Sequence, residues 1–101
     1  MTIRRGGSET RPYVGDTVDE ALAAAARRLA GAGIDGAATD ARLLIQEATG
    51  LSREALLRHP ERRLAESEGA RLAALIARRA EREPLSHILG RREFWSLEFR
   101  V

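Results

Sequence analysis

Cysteine is missing altogether from these 101 residues, and so is lysine, since all 17 basic residues are arginine. Without cysteine, neither a disulfide nor a thiolate metal site can form. Only His59 and His87 could offer imidazole, and neither belongs to a cluster with ligand spacing, so no metal site is expected. Aromatic residues are few: Tyr13, Phe94, Trp95 and Phe99. No apolar run is long enough to span a bilayer, and the first residues lack the apolar centre of a signal peptide. No membrane association is expected, and the expected compartment is the cytoplasm. Catalytic patterns are missing as well. No glycine-rich loop follows a strand and opens a helix, no nucleophile sits in a strand–turn–helix elbow, and no carboxylate pair has a context that would shift its pKa. No catalytic or cofactor-binding residue is therefore assigned.

The calculated pI near 10.3 suggests nucleic acid, but the charge count does not. Arg4, Arg5 and Arg11 against Glu9 give the first 15 residues the whole net charge of +2, and the remainder balances. The high pI records arginine standing in for lysine. A nucleic-acid-binding domain concentrates a basic face, so nucleic acid is not the expected partner.

What the chain does contain is helical periodicity. Residues 1–15, "MTIRRGGSETRPYVG", are polar and aperiodic and read as a flexible tail. Thr17 and Glu20 have the spacing of a capping box, and Val18, Leu22, Ala25 and Leu29 follow at helical intervals until "GAG" at Gly31–Gly33 stops the run. A second helix is predicted over about 37–49, with Ala41, Leu44, Ile45 and Ala48 as its stripe and Gly50 as its stop. Ser52 opens a short third helix with Leu51 and Leu56 as a hydrophobic staple, ended by His59-Pro60. The longest helix is expected over about 65–82, burying Leu72, Leu75 and Ile76. Pro84 then fits the first position of a last helix closed by Gly90. After Gly90 the period changes to two: Trp95, Leu97, Phe99 and Val101 alternate with polar residues, as in a strand or a hairpin. The expected fold is all-α: a small bundle of four to five helices over 16–90, followed by a short C-terminal β-strand or hairpin at 91–101.

Two features invite a functional reading. Phe94, Trp95 and Phe99 could anchor a partner, but a chain this poor in aromatics needs them to pin the strand segment to the bundle. Arg78, Arg79, Arg91 and Arg92 cluster around the last helix and are candidates for gripping an acidic partner or RNA, although Glu81, Glu83 and Glu93 could make the same stretch an ordinary solvated face. "DAR" at Asp40–Arg42 reads as ordinary helical charge.

The stretch "ARRAEREPLSHILGRREFWSLEFRV" is more specific than its physics. Through Arg78-Arg79, Glu83-Pro84, His87, Gly90 and "REFWSL" at 92–97, it resembles the segment joining the two domains of the HemK/PrmC family. The earlier "TDARLLIQEATGLSREAL" is similar to that family's second and third helices. Members often carry glycine where this chain has Arg82, and again where it has Ser96. The resemblance implies an S-adenosylmethionine-dependent enzyme that methylates the glutamine side chain of class I peptide-chain release factors. It implies that residues 16–90 are a substrate-recognition domain and that 91–101 begin a hairpin linker. That linker would lead to a catalytic methyltransferase domain, whose Asn-Pro-Pro-Tyr motif is not in this sequence. The piece alone is expected to be inactive, with the release factor and its own catalytic domain as partners and S-adenosylmethionine bound only in the parent enzyme. The alternatives are the related enzyme that methylates a large-subunit ribosomal protein, or a stand-alone helical module that binds RNA or protein.

Overall fold

In a computed structural model of the protein, residues 13–90 are described. They form a helical bundle: α1 (Val18–Gly31), α2 (Ala37–Thr49), α3 (Arg53–Arg58), α4 (Glu66–Ala80) and α5 (Leu85–Leu89). The expected strand or hairpin, with Arg91, Arg92, Phe94, Trp95 and Phe99, lies outside the described residues. Among those described, no helix is long and apolar enough to cross a membrane.

The core is aliphatic. Val18, Ala21, Ala25 and Leu29 of α1 meet Ala41, Leu44, Ile45 and Ala48 of α2, and Leu72 and Ile76 of α4 close the third side. Leu22 and Leu75, expected in the stripes, sit at the edge of this core and are half-buried. Alanine on both α1 and α2 lets the two helices pack closely, and the short connection between them makes them antiparallel neighbours. Each stripe is too narrow to hold a helix alone in water, so the stability of each rests on the others.

Helix termini follow side-chain chemistry. All four leading amides of α1 are satisfied. Val18 donates to the Arg62 carbonyl at 2.8 Å, Asp19 to the Pro60 carbonyl at 3.1 Å, Glu20 to Thr17 Oγ1 at 3.1 Å and Ala21 to the Thr17 carbonyl at 2.8 Å. The Glu20 carboxylate accepts from the Thr17 amide at 3.0 Å and completes the expected capping box. At the other end, Gly33 takes a φ of 83° while its amide donates to the Ala30 carbonyl and that of Ile34 to Leu29. These are the two bonds of a Schellman turn, which glycine favours because a Cβ is strained there.

Two boundaries differ from expectation. The packed body takes in Tyr13 to Gly15, which fall within the expected tail: the Tyr13 ring is buried, and Gly15 donates to the Leu64 carbonyl. The segment runs antiparallel to the α3–α4 connection, with Leu64 donating to the Asp16 carbonyl at 2.8 Å. Two apolar residues in a polar stretch were too weak a periodic signal to reveal this. The longest helix also ends at Ala80, short of Arg82, because Arg82 takes a φ of 71°. Pro84 accordingly caps α5 in an extended conformation instead of opening it.

Candidate functional site

The corner between α4 and α5 gathers the residues that carry the sequence resemblance. Arg82 holds the left-handed position of a Schellman turn: its amide donates to the Arg79 carbonyl at 2.8 Å and that of Glu83 to the Arg78 carbonyl at 3.2 Å. Glycine is the residue best suited to that geometry. Here the arginine side chain adds a tie of its own. Its Nη2 donates to the Ala32 carbonyl at 3.0 Å, so the end of α4 is stitched to the end of α1.

Glu83 is the hub of the corner. Its carboxylate accepts from Arg78 Nε at 3.0 Å and Nη2 at 2.6 Å, a two-pronged contact that fits the planar guanidinium. His87 Nδ1, one turn into α5, lies 2.9 Å from the same carboxylate. The Glu83 carbonyl accepts from Arg79 Nη1 at 2.8 Å. Arg79 Nε in turn donates to Asp40 Oδ2 on α2 at 2.9 Å. Asp40 is the one charged residue among those described that is buried. Arg79 thus connects α2 to the α4–α5 turn through two acceptors at once.

This arrangement recasts the candidate residues. Arg78 and Arg79 are both engaged inside the domain; the Arg78 side chain keeps 44% of its exposure, whereas Arg79 keeps 21%. Sequence reasoning missed Asp40, taking "DAR" for ordinary helical charge. A signal was present: Asp40 adjoins Ala41 and is in phase with Leu44, Ile45 and Ala48, so a carboxylate on the buried stripe required a cationic partner. The Glu83-Pro84 and His87 matches fall within the contacts that hold the α4–α5 turn together.

A second carboxylate–guanidinium pair joins Arg62 to Glu68, at 3.1 and 2.9 Å, with Glu68 also accepting from the Ala65 amide at the start of α4. Hydrogen bonding from Arg62 holds the Glu68 carboxyl below its ordinary value of 4.5, and that from Arg78 does the same for Glu83. A carboxyl depressed in the folded state contributes stability above its unfolded pKa and loses it as pH falls through the folded one. The melting temperature should therefore hold steady near neutrality and decline as pH is lowered below about 4.5. Calorimetry across pH 7 to 3 checks this, with Glu83→Gln expected to show a lower neutral melting temperature and a shallower decline.

Among the described residues, no three potential metal ligands converge.

Comparison with known proteins gives these residues a family. The model of the PrmC N-terminal domain matches residues 20–90. A release factor glutamine methyltransferase of Agrobacterium fabrum is 48% identical over 82 residues, covering 81% of this chain and 28% of the relative. Proteins of the same name from Caulobacter vibrioides, 42% identical over 85 residues, and Vibrio cholerae, 41% over 85, each cover 84% of this chain, and 29% and 30% of their own length. The chain thus spans less than a third of the relatives it matches. No solved structure gives a significant match. The match spans α1 to α5 and takes in Asp40, Arg78, Arg79, Glu83 and His87, so the chain belongs to the PrmC N-terminal domain family.

Proposed function

We propose that this domain grips the protein substrate of an S-adenosylmethionine-dependent glutamine N5-methyltransferase, and that the substrate is a class I peptide-chain release factor. The observation that carries the reading is the similarity to proteins named release factor glutamine methyltransferase, which runs over more than four-fifths of the chain. The physical logic is one of alignment. Transfer to a side-chain amide requires nitrogen and methyl carbon held in line, and binding energy collected away from the reacting atoms can hold them there.

S-adenosylmethionine does not fit the residues described. A nucleoside cradle needs a glycine-rich turn after a strand, whereas Gly33, Gly36 and Gly50 border helices. Binding of the methyl donor is assigned to the parent enzyme outside this domain. The ion pairs of the α4–α5 corner serve the same division of labour, since they fix α5 against the bundle. The region of Arg78, Arg79, Arg91 and Arg92 remains a candidate recognition surface, with Arg79 acting mainly through its hold on Asp40.

An NMR titration of the isotope-labelled chain with the glutamine-bearing domain of a class I release factor tests the proposal. Saturable shifts with the release factor, and none with S-adenosylmethionine or a short RNA, are the expected result. Silence with the release factor would overturn it, and a response to RNA alone would favour a nucleic-acid module.

A further inference from the structure

A trough of about 480 Å³ runs between α1 and α2 on the side away from the Asp40–Arg79 pair. Leu22, Ala23 and Ala26 of α1 and Ala38 of α2 form its apolar part, while Arg42 of α2 and Arg53 at the start of α3 stand along it. Asp19 is the one carboxylate in the lining, so the trough carries a net positive charge.

The two guanidiniums differ from those of Arg78 and Arg79 at the α4–α5 corner. Arg42 donates from Nη1 to the neutral amide oxygen of Gln46 at 3.0 Å, and no carboxylate among the described residues pairs with it. Arg53 is exposed and has no ion-pair partner among those residues. By contrast, Arg62, Arg78 and Arg79 each hold a carboxylate. The neighbours of Arg42 one turn away, Ala38 and Gln46, are neutral, so α2 supplies no internal partner.

We propose that this trough is the seat for an acidic segment of the protein substrate, an inference that rests on reading the domain as a substrate grip. A carboxylate of that segment lies between Arg42 and Arg53, and a small apolar side chain beside it covers Ala23, Ala26 and Ala38. Charge complementarity fixes the sign of the occupant. The shape fixes its class: a small molecule needs most of its surface enclosed, which an open trough does not provide, whereas a peptide segment is held by the rest of its own fold. Three of its four apolar lining residues are alanine, whose short side chains leave room for a backbone to approach.

The titration above, read residue by residue, tests the seat. Shifts concentrated at Ala23, Ala26, Ala38, Arg42 and Arg53 are expected, with affinity that weakens as salt is added. Arg53→Glu should lower the affinity about tenfold, and Ala23→Trp, which fills the trough without altering charge, should lower it similarly. Arg71→Glu, on the exposed face of α4, serves as the control for net charge, and circular dichroism confirms that each variant is folded. Release factor binding that leaves both trough variants unaffected, or that maps to the Arg78 corner, would overturn the seat while leaving the substrate-grip reading in place. Absence of any binding would bring down both.

Discussion

Replacing Arg79 with alanine should lower the stability of the domain by about 3 kcal/mol, a fall in melting temperature of about 12–24 °C for a domain this size. Two losses combine. The Glu83 carbonyl loses its 2.8 Å donor, and Asp40 loses its 2.9 Å partner while remaining within the core. The second loss dominates, because a carboxylate left unpaired away from water costs more than the pair contributed when intact. The figure is set at the lower end of the range for buried pairs because the Arg79 side chain keeps 21% exposure. Asp40→Ala should cost less, since the arginine it frees can turn toward solvent.

The double replacement Asp40→Leu with Arg79→Met separates the two causes. Removing both charges and filling the space with apolar groups should recover more than half of the loss. A double variant no more stable than Arg79→Ala would show that the tie to the Glu83 carbonyl, not the buried charge, carries the effect. Hydrogen exchange supplies a second readout. The amides of His87 and Ile88, which donate to the Pro84 carbonyl, should exchange faster in Arg79→Ala by more than global destabilisation accounts for, because Arg79 joins α2 to the turn before α5.

The contrast between the two ends of the bundle explains what was legible in the sequence. Thr17 and Glu20, Gly33, Gly50 and Ser52 are residues whose chemistry selects a helix boundary locally, and α1 begins and ends, α2 ends and α3 begins where they indicate. The all-α class followed from the periodicity of the stripes, and the family from the pattern around Glu83-Pro84. Arg82 was not legible, because arginine carries no local preference for the left-handed turn it occupies. It is held there by contacts such as its bond to Ala32, fifty residues distant in the chain. Asp40 with Arg79 is the same case at thirty-nine residues' separation. Spacing within a helix encodes which face is buried, but not which charge from another helix will meet it. The trough between α1 and α2 escaped notice for a related reason. Alanine at positions 23, 26 and 38 reads as helix-forming filler until two helices are placed side by side.

Gly69 gives the second large effect, with a sign opposite to local propensity. Glycine in the body of a helix normally invites replacement, and alanine there gains about 1 kcal/mol. Gly69→Ala should instead destabilise the domain by about 2 kcal/mol, because overpacking against fixed atoms outweighs that gain. A Cβ on Gly69 would stand 2.8 Å from the Val14 amide nitrogen and 2.9 Å from its Cα. These are backbone atoms, and they cannot swing aside as a side-chain tip could. Tyr13 is buried on one side of Val14, and on the other Gly15 donates to the Leu64 carbonyl at 3.3 Å. Relief therefore requires lifting the segment off α4 and exposing the Tyr13 ring, whose burial raises its hydroxyl pKa. Gly31→Ala is the matched control: its new Cβ meets nothing within 4 Å and its φ is not in the left-handed region, so the same change should stabilise by about 0.5–1 kcal/mol. Chemical denaturation of the two variants gives both signs. If Gly69→Ala proves as benign as Gly31→Ala, the segment at 13–15 is not held against α4, and the packed body begins at Thr17 instead.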